Sequence, residues 1–285
     1  MPTIGVQAST IKNAFTELGT YEALKKVSDL GYHAIEISQV AMTPENVAEM
    51  RRAQDELGLR IAALSGSLAP QMGGTESLTT TFDKIVADCR SLDTTMVRIG
   101  MLPFEAMGSL DLVTDFAGRA NEVAKQLAAE GISLYYHNHH VEFAKFDGRF
   151  MLDVIADAAP DLGMEIDVHW VHRGGQDPVT TLAQFAGRVK LVHLKDYRIG
   201  ALPPAAMELL DAGDFAGFMA AFRDLVQFAE VGQGTLDWPA IVDQALASGA
   251  EYLFVEQDDT YGRDPFESLA MSRDHLMSLG YSHLF

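Results

Sequence analysis

The stretch FAGRANEVAKQLAAEGISLYYHNHHVEF, residues 116–143, holds in one run the unit from which the whole chain is built. Its first half has apolar residues at helical spacing and ends in Gly131, a residue suited to the left-handed turn that closes a helix. A short apolar run follows and reads as a strand, and polar residues able to do chemistry come directly after it. The same order of helix, glycine and apolar strand recurs at LGYHAIEI (30–37), LGLRIAAL (57–64) and SGAEYLFV (248–255). Working outward, the pattern predicts strands at Ile4 to Gln7, Ala34 to Ile37, Arg60 to Leu64, Met96 to Ile99, Ser133 to Tyr136, Gly163 to Ile166, Lys190 to Leu194 and Tyr252 to Val255. Strands alternating with helices at this spacing are right-handed βαβ units. The fold class is therefore α/β, a single (β/α)8 TIM barrel over residues 1–285, close to the ~250 residues usual for that fold. A doubly wound open sheet is disfavoured by the eight regular units and by the lack of GxGxxG after the first strand.

The regular spacing fails once, between the seventh and eighth strands, where an extended segment runs around residues 197–237. A long excursion after the carboxyl end of a strand lies on the catalytic face of a barrel, so it reads as a lid or rim over the substrate pocket, with a plain surface insertion as the alternative.

Twenty-one Lys and Arg residues against 40 Asp and Glu give a formal charge of −19, which opposes a nucleic-acid backbone as partner. The acidic residues are spread along the chain rather than blocked into a tail. Cys89 is the only cysteine, sits in the helical pattern FDKIVADCRSL, and reads as a small buried hydrophobe in a reducing cytoplasm. The opening MPTIGVQAS has no basic region followed by an apolar run, and no apolar stretch reaches membrane length. A cytoplasmic protein without membrane contact is expected.

Polar groups at the carboxyl ends of barrel strands converge on one site. After strand five come His137, Asn138, His139, His140 and Glu142; after strand six, Asp167, His169, His172 and Arg173; after strand seven, His193, Lys195 and Asp196; after strand eight, Glu256. Glu142, Asp167, His193 and Glu256 offer one oxygen or imidazole donor from each of four consecutive strands. Such a mixed shell suits Mn²⁺ first, with Mg²⁺, Co²⁺ or Zn²⁺ as alternatives. Carboxylates crowded together also need a cation to offset their burial. His137 or His139 can replace Glu142, which lies several residues past its strand.

At these residues the chain resembles the sugar phosphate isomerase/epimerase superfamily of xylose isomerase-like TIM barrels. That group includes ketose 3-epimerases, inosose dehydratases, hydroxypyruvate isomerases and endonuclease IV. The resemblance covers nearly the whole chain through GYHAIEI, YYHNHHVEF, EIDVHWVHRGGQDP, VKLVHLKDY, EVGQGTLDW and FVEQDD. It implies a metal held by Glu142, Asp167, His193 and Glu256. Two departures stand out: Gln233 occupies a place in the VG.G motif that often carries an acidic residue, and the residues before Glu142 differ from those of ketose epimerases.

The function expected is a metal-dependent sugar or polyol isomerase or epimerase that removes a proton beside a carbonyl through an enediolate. Glu142 and Glu256 are the candidate bases. His137, His139, His169, Arg173, Lys195, Arg98 and Trp170 are the candidate substrate contacts, Arg98 having a buried ion pair as its other reading and Trp170 core packing. The same enediolate in a dehydratase or lyase would act on a keto-inositol or 3-keto-glycoside. A non-catalytic sugar-binding barrel and an endonuclease IV-like repair enzyme are weaker rivals. The partner expected is a small sugar or polyol, with self-association as a homo-oligomer left open.

Overall fold

The structure, a computed structural model, describes residues 1–70 and 76–285. Eight parallel strands close into a barrel among these residues: β1 (Thr3–Gln7), β2 (Ala34–Ile37), β3 (Arg60–Ser65), β4 (Met96–Ile99), β5 (Ser133–His137), β6 (Gly163–Asp167), β7 (Val189–Leu194) and β8 (Tyr252–Val255). Each pairs with the next, and β8 closes on β1 through Thr3↔Tyr252 to Val6↔Val255. The covering helices are α1 (Thr20–Asp29), α2 (Pro44–Leu57), α3 (Phe82–Ser91), α4 (Leu110–Ala129), α5 (Met151–Ala158), α6 (Pro178–Gln184), α7 (Trp238–Ala247) and α8 (Pro265–Ser278). Gly31, Gly58, Gly131 and Gly249 each hold a positive φ of 67–96° between helix and strand, a conformation that costs glycine least.

The strands alternate between two apolar environments. Outward residues such as Ile35, Val97, Tyr136, Ile166, Val192 and Val255 join the helices in the main core. Inward, Ala34, Met96, Tyr135, Leu191 and Phe254 form a separate apolar plug at the amino-terminal end of the barrel. Two residues further along the same strands stand Glu36, Arg98, His137, His193 and Glu256, all buried. A step of two returns to the same face, so the chain puts its charges directly above the plug, at the carboxyl ends.

Closure is tight where β1 meets β2. A Cβ built on Gly5 lies 2.5 Å from the Ala34 carbonyl oxygen, a backbone atom that cannot turn aside. Gly5→Ala is expected to cost about 1–3 kcal/mol by overpacking. At roughly 2–4 °C per kcal/mol, calorimetry should record a fall in Tm of several degrees; an unchanged Tm would show that the barrel yields there.

Past β7 the chain forms an antiparallel hairpin, Asp196–Ile199 with Val226–Ala229, with helices Pro204–Asp211 and Phe215–Arg223 between its arms. Among the described residues no helix is long and apolar enough to cross a membrane. Cys89 is buried and free, and its burial pushes the thiol up to about 12, as a small core hydrophobe requires.

Candidate metal centre

Asp167 shows how local structure prepares a candidate ligand. It ends β6 and caps the short helix Val168–Arg173, its Oδ1 accepting from the Trp170 amide at 3.0 Å. That leaves Oδ2 buried and ion-paired with Lys195, outside hydrogen-bond geometry. Oδ2 lies 3.9 Å from His193 Nδ1, 4.0 Å from His137 Nε2 and 3.0 Å from Lys195 Nζ. His137, Asp167 and His193 can each offer one ligand atom with all three within 4.8 Å of one another. Asn138 fixes the strand ends, its Oδ1 accepting from the Asp167 amide at 3.0 Å just past the last β5–β6 pair.

Glu256 joins this group from β8. Its Oε2 is 3.0 Å from His193 Nδ1 and accepts from Lys195 Nζ at 2.7 Å, while Oε1 accepts from Ser9 Oγ at 2.9 Å. Burial opposes its ionisation, but Lys195 and His193 outweigh burial and hold its carboxyl well below the ordinary range. Burial also opposes charge on His193, yet Glu165, Glu256 and Glu36 together hold the imidazole well above its usual value.

Beside it stands a further charged group, of which the sequence reading named only Arg98. Arg98 Nε donates to Glu36 Oε1 at 2.8 Å and sits 3.3 Å from Glu165 Oε2. Arg98 therefore makes the buried ion pair, and it also walls the mouth cavity. Glu36, Glu165 and His193 form another close donor group. Burial, aided by Glu36, pushes Glu165 up to about 8, whereas Arg98 and His193 overcome the burial of Glu36 and bring it down to about 2. Glu36 and Glu165 had a signal in the sequence: Glu36 is a lone charge inside an apolar strand, and Glu165 stands two residues before Asp167, on the same face.

Glu142 is the candidate that the structure does not bring to this cluster. Beyond β5 the chain turns through Val141–Phe143 and carries Glu142 back against the outward face of the strand. There its Oε1 accepts from Tyr136 Oη at 2.6 Å and its Oε2 from the His139 amide at 2.8 Å. The inward residue at the end of β5 is His137, the alternative left open by the sequence.

The donor set fits a divalent ion. Among the described residues, the fully or nearly buried carboxylates Glu36, Glu165, Asp167 and Glu256 meet the permanent cations Arg98 and Lys195, and the rest of the charge is balanced by protons on Glu165 and His193. Asp167 Oδ2 and His137 Nδ1 are both buried and lie 3.0 Å from Lys195 Nζ and 3.2 Å from Glu165 Oε2 respectively, outside hydrogen-bond geometry. A divalent ion held by these atoms would take the place of those protons and offset the burial of the carboxylates.

Above the cluster opens a cavity of about 340 Å³ whose wall includes Arg98, His137, His139, Lys195, Glu256 and Asp258. Gln39, also in the wall, holds a φ of +57°, a conformation rare for a non-glycine residue and most often tolerated at functional sites. Burial, with Lys195 adding to it, keeps His139 neutral with its pKa down to about 3. His169 and Trp170 are not in this wall and belong to an aromatic roof over Lys195: His169 stacks on Phe228 at 4.7 Å, and Lys195 Nζ lies 5.3 Å from the Trp170 ring and 5.7 Å from the Phe228 ring. Phe228 belongs to the hairpin after β7, so the excursion reaches the mouth. Arg173 is exposed, with its guanidinium over Trp170 at 5.5 Å, and His140 and His172 are exposed rim residues.

Asp196 holds this roof in place. It is fully buried, and its carboxylate accepts from the amides of Tyr197, Gly232, Gly234, Thr235 and Leu236 and from Trp238 Nε1. A Cβ on Gly234 would lie 2.2 Å from Asp196 Oδ1, so only glycine admits the carboxylate there.

Residues 24–278 match the family model described as xylose isomerase-like TIM barrel. Among similar solved structures, a sugar phosphate isomerase/epimerase from Parabacteroides distasonis aligns with a TM-score of 0.73 at 20% identity, over 99% of this chain and 96% of that one. An L-ribulose 3-epimerase aligns at 0.67 and 15% identity, over 100% and 96%. An IOLI protein with a bound zinc atom aligns at 0.70 and 16% identity, over 99% of each chain. No curated protein sequence matches the chain. At these identities the structural likeness establishes the barrel fold.

Proposed function

The chain belongs to the xylose isomerase-like TIM barrel family, and on that premise we propose that it is a divalent-metal-dependent isomerase or epimerase of a sugar or polyol. The observation that carries this reading is the meeting of His137, Asp167 and His193, with ligand atoms within 4.8 Å, beside a cavity that Glu256 enters. These three residues would hold the ion, with Glu256 adjacent; Glu142 instead fixes the loop after β5. When bound, a divalent ion such as Mn²⁺ or Zn²⁺, either of which two imidazoles and a carboxylate can hold, would supply polarisation of the substrate carbonyl.

The protein's own groups carry the proton. Glu256 is kept ionised by Lys195, whose Nζ donates to its Oε2 at 2.7 Å, and accepts the proton from the carbon beside the carbonyl. Lys195, buried and permanently charged, offsets the negative charge that grows on the substrate oxygens. Asp258, whose Oδ2 is 2.8 Å from Lys195 Nζ, is the other carboxylate of the cavity and returns a proton in an epimerisation. His139 is neutral and offers its ring nitrogens to substrate hydroxyls, and the roof of His169, Trp170 and Phe228 keeps water from the reacting carbon.

The test is solvent-deuterium exchange at the α-carbon of a panel of ketoses, inososes and 3-keto-glycosides, with and without Mn²⁺. Exchange that requires metal is the expected result, and none with any compound under metal would remove the reading. A dehydrated product accompanying exchange would assign a lyase. Elemental analysis gives an independent check: wild type should retain roughly one ion per chain and Asp167→Asn should lose it, by about 10–100-fold in affinity or more. Equal metal in both proteins would remove Asp167 from the shell.

A further inference from the structure

We infer that a second cavity, outside the barrel between the ends of β1 and β8, is a subsite for a neutral, hydroxyl-bearing extension of the substrate, such as a second sugar ring. This inference rests on the sugar reading above and names the class of sugar. The cavity measures about 450 Å³ against about 340 Å³ for the mouth, and both volumes are within the ~300–1,000 Å³ of ligand pockets. Its wall includes Ser9, Thr10, Asn13, Gln257, Asp258 and Thr260.

Gln257 is the residue that calls for a ligand. Strand alternation points Glu256 into the barrel and turns the next residue outward. Its backbone is pinned by the amide, which donates to Thr10 Oγ1 at 2.9 Å. The side chain is 5% exposed, and its Oε1 and Nε2 are both buried without a hydrogen-bond partner. Leaving both ends of a buried amide unpaired is expensive. A sugar ring satisfies them together, because its hydroxyls both donate and accept.

Two residues separate the outer cavity from the reacting centre and touch both. Asp258 lines both cavities, and Ser9, in the outer wall, donates from Oγ to Glu256 Oε1. Charge narrows the ligand further. Lys12 and Lys26 in the outer wall are outnumbered by Glu17, Asp258, Asp259 and Asp264, which disfavours a phosphate or carboxylate and leaves a neutral polyol.

The experiment compares D-fructose with its glycosylated forms lactulose, maltulose and isomaltulose as substrates for metal-dependent α-carbon exchange. It uses wild type and Gln257→Met, which keeps the length of the side chain without its hydrogen bonds. At least one glycosylated ketose should exceed fructose in kcat/KM by about tenfold, the scale of one or two hydrogen bonds. Gln257→Met should erase that advantage and leave fructose unchanged. No advantage in wild type, or an equal loss on fructose and the disaccharides, overturns the subsite. Saturation-transfer NMR with methyl α-D-glucopyranoside, which has no carbonyl to react, reads the cavity without the reaction. A signal in wild type that Gln257→Met removes sustains the subsite even where no ketose exchanges, in which case the isomerase reading alone fails. No signal in wild type means that the cavity holds water only, and the inference is wrong.

Discussion

On the proposed function, Glu256→Gln is expected to lower the rate of α-proton exchange by about 10²–10⁴-fold, the contribution of a positioned general base, while the barrel still folds. The carboxylate sits 7% exposed at the end of β8, with Ser9 on one oxygen and Lys195 and His193 on the other. Glutamine keeps the volume and one acceptor but cannot take a proton at working pH. Its NH₂ also meets donors wherever it faces Lys195 or His193, so a modest fall in Tm should accompany the loss of rate. Isotope exchange followed by NMR on the metal-loaded variant decides the matter. A variant that keeps more than about a tenth of the wild-type rate would transfer the base to another group.

The largest effect on stability is expected from Asp196→Ala. Six N–H donors end on this one buried carboxylate, at distances from 2.7 to 3.2 Å. Alanine strands all of them, and removing one side of a buried charged network costs about 3–5 kcal/mol. At roughly 2–4 °C per kcal/mol, Tm should fall by about ten degrees. Asp196→Asn retains an acceptor and should fall between the two. Because the same loop positions the roof, the alanine variant should also raise KM for any sugar substrate. A calorimetric loss below about 1 kcal/mol would show that the loop folds without its hub.

Much of this was legible in the sequence because the barrel repeats one physical pattern. A glycine after each helix and an apolar run after each glycine mark the strands, and the step of two along β6, β7 and β8 exposes Asp167, His193 and Glu256 to one mouth. The family motifs at YYHNHH, HLKDY and FVEQDD then gave the reading its chemistry. Glu142 illustrates where that reasoning runs out. Past the end of β5 no periodicity says which way a side chain faces, and the turn Val141–Phe143 reverses it toward Tyr136. Asp196 is similar: spacing shows a polar residue after β7, but nothing local reveals that amides about 40 positions later will converge on it. Gln257 looks unremarkable as a letter beside Glu256, and only the solid shape of the cavity makes its unpaired amide visible.

The hairpin after β7 has a consequence for how such a protein changes over time. Its arms are zipped from Asp196↔Ala229 to Ile199↔Val226, and the Gly200 amide closes the top by donating to the Leu225 carbonyl at 2.7 Å. The helix Phe215–Arg223 beyond that seal has no buried residue. Residues 201–224 thus hang from a base that is fixed without them. Lengthening or exchanging such a loop costs little entropy once its ends are held. This is a graft point where the rim can be rewritten for a new sugar while His193, Lys195 and their partners keep their places.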